Sequence, residues 1–142
     1  MEKKSIKITV NTTVNAPIEK VWLFWTEPNH IMKWNNASDD WHTISAENDL
    51  RTGGKFLSRM EAKDGSFGFD FYGVYDEIIL NKRISYTLGD ERKVDITFLS
   101  HGNETEINET FDAEGENSID LQKQGWQAIM DNFKKYVESV KD

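Results

Sequence analysis

Apolar and polar residues alternate near the start of the chain: Ile6, Ile8, Val10, Thr12 and Val14 interleave with Lys7, Thr9, Asn11 and Thr13. A period of two marks a strand with one buried face. Asn15-Ala16-Pro17 ends it, and the proline suits the first turn of a helix in which Val21, Trp22, Phe24 and Trp25 recur at helical spacing. Glu27-Pro28 breaks that helix, and a short second one carries Ile31, Met32 and Trp34. From Trp41 onward the period returns to two. The pattern predicts antiparallel strands over Trp41 to Ala46, Lys55 to Ala62, Phe67 to Leu80, Arg83 to Leu88, Val94 to Ser100 and Glu104 to Phe111. Turn-forming pairs separate them: Asn48-Asp49, Gly53-Gly54, Asp64-Gly65, Asn81-Lys82, Gly89-Asp90 and Gly102-Asn103. Gly73, inside the longest run, marks either a bulge or a close backbone approach.

The last segment, Ser118 to Val140, reads as one amphipathic helix capped by Asn117 or Ser118. Ile119, Trp126, Ile129, Met130, Phe133, Val137 and Val140 form its apolar stripe, and Gln122, Lys123, Asp131, Lys134, Lys135 and Glu138 lie mostly off it. Gly125 costs such a helix ~1 kcal/mol relative to alanine, so its use there points to room left beside Trp126. The order β-α-α-β6-α is that of an α+β domain. Its economical solution is a curved antiparallel sheet of about seven strands wrapped around the long C-terminal helix. No linker or repeat interrupts residues 1–142, which read as a single domain at the usual domain length.

Charge removes several partners. With 25 Asp and Glu against 17 Lys and Arg the net charge is −8, the wrong sign for gripping phosphates or adsorbing to anionic membranes, so neither nucleic acid nor membrane is expected. Cysteine is absent, which excludes disulfides and thiolate chemistry. MEKKSIKITV alternates instead of forming a leader's apolar core, and no stretch approaches a membrane span. The expected location is cytoplasmic. His30, His42 and His101 show no metal-ligand spacing, and neither a phosphate-loop glycine pattern nor a GxSxG elbow occurs. No cofactor and no metal is implied.

Aromatic residues remain to be explained: Trp, Phe and Tyr make up 12% of the chain. Strand parity puts Phe56 with Met60, Phe67 with Phe69, Phe71 and Tyr75, Ile84 with Tyr86 and Leu88, and Val94 with Ile96 and Phe98. Facing them is the helix side bearing Trp126, Met130 and Phe133, with Trp34 and Trp41 near the mouth. These rings either fill the core or line a cavity. Glu109 is the pointed polar residue, because it shares the parity of Thr105, Ile107 and Phe111. It is either a buried acid that binds or transfers protons, with Tyr86 as a second candidate, or a strand-end partner of Arg59 or Arg51. Asp70, of opposite parity to its phenylalanine neighbours, faces solvent, and Arg51 either anchors an acidic ligand group or, as an Arg fork readily does, ties down the loop before the glycines.

"NAPIEKVWLFWTEPNHIMKW", "NDLRTGGKFLSRMEAKDGSFGFDFYGVYDEI" and "QGWQAIMDNFKKYVE" together resemble the START-like, or SRPBCC, superfamily with its helix-grip fold. More narrowly, the chain resembles the family named after the C-terminal domain of the activator of the heat-shock chaperone ATPase. The namesake's chaperone activation also uses an N-terminal domain, for which 142 residues leave no space, so the resemblance is to the bacterial stand-alone members. It implies a small hydrophobic ligand, lipid-, polyketide- or flavonoid-like, held between sheet and helix without catalysis. The corresponding ligand-binding set is Trp34, Trp41, Phe56, Met60, Phe69, Phe71, Tyr86, Phe98, Glu109, Trp126, Met130 and Phe133. A cyclase- or isomerase-type enzyme using Glu109 in the same cavity is the alternative. A chaperone-regulating or protein-interaction module is a third, and a homodimer through a sheet edge or the Trp22/Trp25 helix stays open.

Overall fold

The computed structural model describes residues 6–140; most of the basic start weighed above as a leader lies outside them. The elements are β1 (Lys7–Val14), α1 (Ile18–Thr26), α2 (Pro28–Trp34), β2 (Trp41–Asn48), β3 (Lys55–Ala62), β4 (Gly68–Ile79), β5 (Arg83–Leu88), β6 (Lys93–His101), β7 (Glu104–Asp112) and α3 (Ile119–Ser139). All neighbouring strands pair antiparallel in the order β1-β7-β6-β5-β4-β3-β2. The fold is therefore the α+β arrangement of a curled seven-stranded sheet and a long last helix. Helices α1 and α2 carry the chain from β1 at one edge to β2 at the other.

Local chemistry sets the joints. Pro17 precedes α1 and accepts from the Val21 amide at 3.1 Å, while Pro28 occupies the first turn of α2. Ser118 caps α3, its Oγ accepting from the Leu121 amide at 3.1 Å. Several boundaries differ from the sequence reading by a residue or two, and two of the differences have a clear local cause. β2 continues to Asn48, because that residue pairs with Phe56 and its side chain links α1 to β4: Nδ2 donates to the Thr26 carbonyl at 2.7 Å and Oδ1 accepts from the Tyr75 hydroxyl at 2.5 Å. β4 starts one residue late, at Gly68. Phe67 belongs to the preceding turn, where the Asp64 carboxylate accepts from the Ser66 amide at 2.8 Å and Gly65 has φ +78°; its ring is exposed.

Register builds the concave face in rows across the sheet. One row runs Ile8, Phe111, Val94, Tyr86 and Tyr75, and the next runs Val10, Glu109, Ile96, Ile84 and Ile78. Register shifts at Thr43/Ser45 in β2 and Tyr75/Glu77 in β4 bend the sheet. Gly73 is not itself the bulge. It serves close approach, since a Cβ there would lie 2.6 Å from the Thr87 carbonyl oxygen and 3.0 Å from the Phe56 ring.

Helix α3 packs along β1 and buries Met130, Phe133 and Val137. One end of the arch is full. Trp25 and Trp34 meet Phe133 with ring centroids 4.8 and 4.9 Å apart, and Trp22 meets Phe98 at 5.3 Å. Trp22 is buried and Trp25 is turned into this cluster. His30 is structural too, stacked on Phe24 at 3.9 Å and hydrogen-bonded through Nδ1 to the Tyr136 hydroxyl at 2.7 Å.

The β5–β6 turn holds a local strain. Its left-handed residue is Glu91, with φ 74°, although the sequence places the glycine two residues earlier. A side chain in that region costs roughly 1–2 kcal/mol, which glycine avoids at some cost in chain entropy. Glu91→Gly should therefore raise stability by about 0.5–1 kcal/mol, read as a higher urea midpoint. An unchanged or lower midpoint would contradict this account of the turn.

Candidate functional site

Away from the aromatic cluster the arch is not filled. A cavity of about 420 Å³ lies between α3 and the concave face of β3, β4, β5 and β7. Small residues keep it open. Ser58 points inward between Phe56 and Met60, opposite Phe71, and Gly125 lacks a side chain on the helix side. A Cβ built at Gly125 meets nothing within 4 Å, so the room expected beside Trp126 is present and belongs to the cavity. Phe56, Phe71 and Trp126 face inward yet remain only half-buried, as walls of an accessible cavity do.

Of the ligand-binding set expected from the sequence, Trp34, Phe56, Met60, Phe69, Phe71, Tyr86, Glu109, Trp126 and Met130 line the cavity. Three do not. Phe98 and Phe133 are buried in the full end of the arch against the α1 and α2 tryptophans. Trp41, on the edge strand, leans toward the β3–β4 turn and meets Phe67 at 6.0 Å and Phe69 at 5.8 Å. Trp34, expected at the mouth, instead forms an inner wall: it is 5% exposed and its Nε1 donates to the Phe24 carbonyl at 2.9 Å.

Other lining residues lie outside that set. Trp25 lies three residues from Trp22 on one face of α1, and Arg92 shares the inward parity of Val94; both spacings are visible in the sequence. Gln122 falls off the apolar stripe by type, yet it is buried, one helical turn before Trp126. Its Nε2 donates to the Glu114 and Asn117 carbonyls at 3.1 and 2.8 Å and its Oε1 accepts from the Glu114 amide at 2.8 Å. That fastens the β7–α3 connection over the cavity's rim, beside exposed Leu121.

The electrostatic centre is Glu109, 6% exposed in a row of Val10, Ile96 and Ile84. The arginines that might have paired with it are engaged elsewhere: Arg51 with Asp49, and Arg59 with Glu61 and Asp70. Among the described residues no cation or hydrogen-bond donor reaches the Glu109 carboxyl, so the surface-pair alternative is overturned. Burial pushes its pKa up to about 8, and at neutral pH it is chiefly a neutral carboxylic acid able to donate as well as accept. Tyr86 is buried beside it, and burial, then the charge Glu109 would carry, hold the phenol well above its ordinary pKa. Burial likewise raises Tyr75, whose hydroxyl donates a hydrogen bond to Asn48 Oδ1. At the rim, Arg92 Nε donates to Asp90 at 2.7 Å. The site thus combines aromatic walls, one uncharged acid in the depth and one guanidinium at the edge. Among the described residues no helix is long and apolar enough to cross a membrane.

Comparison with known proteins agrees with the fold. The model of the family described as activator of Hsp90 ATPase homolog 1-like protein matches residues 15–138. The AHSA1-like protein from Aeromonas hydrophila has a solution structure 45% identical to the chain, with TM-score 0.88 over 94% of this chain and 93% of that one. A solution structure from Cytophaga hutchinsonii is 53% identical, with TM-score 0.81 over 96% and 97%. A crystal structure from Chromobacterium violaceum, 21% identical, shares the fold with TM-score 0.84 over 95% and 99%. No curated protein matches the chain.

Proposed function

The chain belongs to the activator of Hsp90 ATPase homolog 1-like family, and from that premise we propose that it binds a small, largely apolar molecule without transforming it. The observation carrying this reading is the 420 Å³ cavity, whose aromatic walls stay accessible while its one buried acid is unpaired. Its size is within the usual range for small-molecule sites. A fold of this family commonly takes hydrophobic ligands, which supports the same reading.

Binding only the folded state stabilises it by about 2.7 kcal/mol at a ligand concentration 100 times Kd. A thermal-shift screen of fatty acids, polyketides and flavonoids should therefore find compounds that raise Tm by several degrees. The hits should cluster among ring-containing molecules. If no member of the three classes shifts Tm, the binding reading fails.

One observation favours a second reading. Glu109 and Tyr86 are neighbouring proton carriers shielded from bulk water and facing the cavity, as an isomerase- or cyclase-type reaction requires. Turnover of a bound compound that disappears in Glu109→Gln while binding persists would select this reading over the first.

A further inference from the structure

Two polar groups of the cavity with hydrogen-bonding capacity to spare, Glu109 and Arg92, occupy defined places. Glu109 stands opposite Ile96 on β6. Arg92, just before β6, lies four residues along the same strand direction and on the same face, a separation of about 13 Å at ~3.3 Å per residue. Between them the lining is aromatic. Tyr86 meets Phe56 edge-on with centroids 4.7 Å apart, and Phe71 meets Trp126 edge-on at 6.2 Å. Trp126 is itself held flat against Phe111, 3.8 Å away and 12° from parallel. Rigid rings flank the path, with a polar group at each end.

Both ends have capacity left for a guest. The Glu109 carboxyl has no protein partner among the described residues and is more than nine-tenths buried. Being protonated at neutral pH through burial, it can donate to a carbonyl or exchange hydrogen bonds with a hydroxyl. Arg92 uses Nε for Asp90, and its terminal amino groups have no protein partner among the described residues. Glu114, also at the rim, is occupied by the Asn117 amide at 2.6 Å.

Resting on the binding reading above, we propose that the cavity selects a rigid, two-ring molecule with an oxygen function at each end. One is a hydroxyl or carbonyl held at Glu109, the other an acceptor oxygen held at Arg92. A fatty acid, with one polar end and a flexible tail, satisfies only half of this pattern. A two-ring body is long enough to reach from one polar group to the other.

Three matched probes test it: 4-phenylphenol, 4-acetylbiphenyl and 4-acetyl-4′-hydroxybiphenyl, titrated calorimetrically into the wild-type protein, Glu109→Leu and Arg92→Met. The two-ended probe should bind wild type about tenfold tighter than either single-ended probe, as one hydrogen bond to a polar or charged group allows. Either substitution should reduce the two-ended probe to the affinity of a single-ended one, while leucine and methionine preserve the fold. Affinities within threefold of each other in all three proteins would overturn the two-ended pattern and leave the binding reading standing. No binding of any probe to wild type would likewise overturn the two-ended pattern, whereas the binding reading falls only if the thermal-shift screen is also empty.

Discussion

Between pH 5 and pH 9 the wild-type protein is expected to lose roughly 4 kcal/mol of stability that Glu109→Gln retains. The sign follows from the protons. Unfolded, this carboxyl titrates near its ordinary 4.5; folded, burial moves it to about 8. Between those values the native state binds a proton that the unfolded state has released. Stability is therefore complete below about pH 4.5 and falls as pH rises through about 8, with a slope of up to ~1.4 kcal/mol per pH unit. Glutamine has nearly the same shape and stays neutral, so it removes the slope without emptying the site. Urea unfolding of both proteins across this range measures the effect, and their difference isolates Glu109, because every other group titrates in both. Parallel curves would mean that the carboxyl is solvated or paired in solution.

The second large effect concerns occupancy. Gly125→Trp should abolish binding of compounds that raise Tm in wild type, a loss of at least about a hundredfold, because steric exclusion removes the contacts outright. Its indole would enter the space that now meets no atom within 4 Å of a Cβ. The fold should persist, since tryptophan is a better helix residue than glycine. Gly125→Ala is the control: it should stabilise α3 by up to ~1 kcal/mol and keep the cavity open. Isothermal titration of both variants decides the matter. Undiminished binding in a folded Gly125→Trp would place the ligand elsewhere.

Most of the architecture was legible because periodicity reports a single buried face. The strands from Arg83 to Phe111 alternate cleanly, and their inward residues are largely those that parity assigned. The α3 stripe likewise gave its direction. Legibility failed where a residue's fate depends on what it meets across the fold. Phe98 has the same parity as Ile96, yet its ring is taken up by Trp22 and Trp25, which arrive on a different element. Gln122 reads as polar and exposed until the β7–α3 connection is seen to need three hydrogen bonds there. Phe67 was lost to a side-chain-braced turn that consumes a strand position. Glu109 was identifiable as an inward acid, but only the arginines' engagement elsewhere decided between its two readings.

The strand order carries a consequence for biosynthesis. Every strand from β2 to β7 meets its sheet neighbour soon after it is made, but β1 has to wait, because Lys7 pairs with Asp112 and Val14 with Thr105. Closing so long a loop is entropically slow. During translation the first strand therefore stays without its partner until β7 has emerged, and α3 follows later still. Glu109 lies on that last strand and the Trp126 wall on that last helix. The part of the protein that would hold a ligand is thus finished only when the chain nearly is, and a ribosome-bound fragment ending before β7 offers a row of unpaired backbone donors and acceptors in its place.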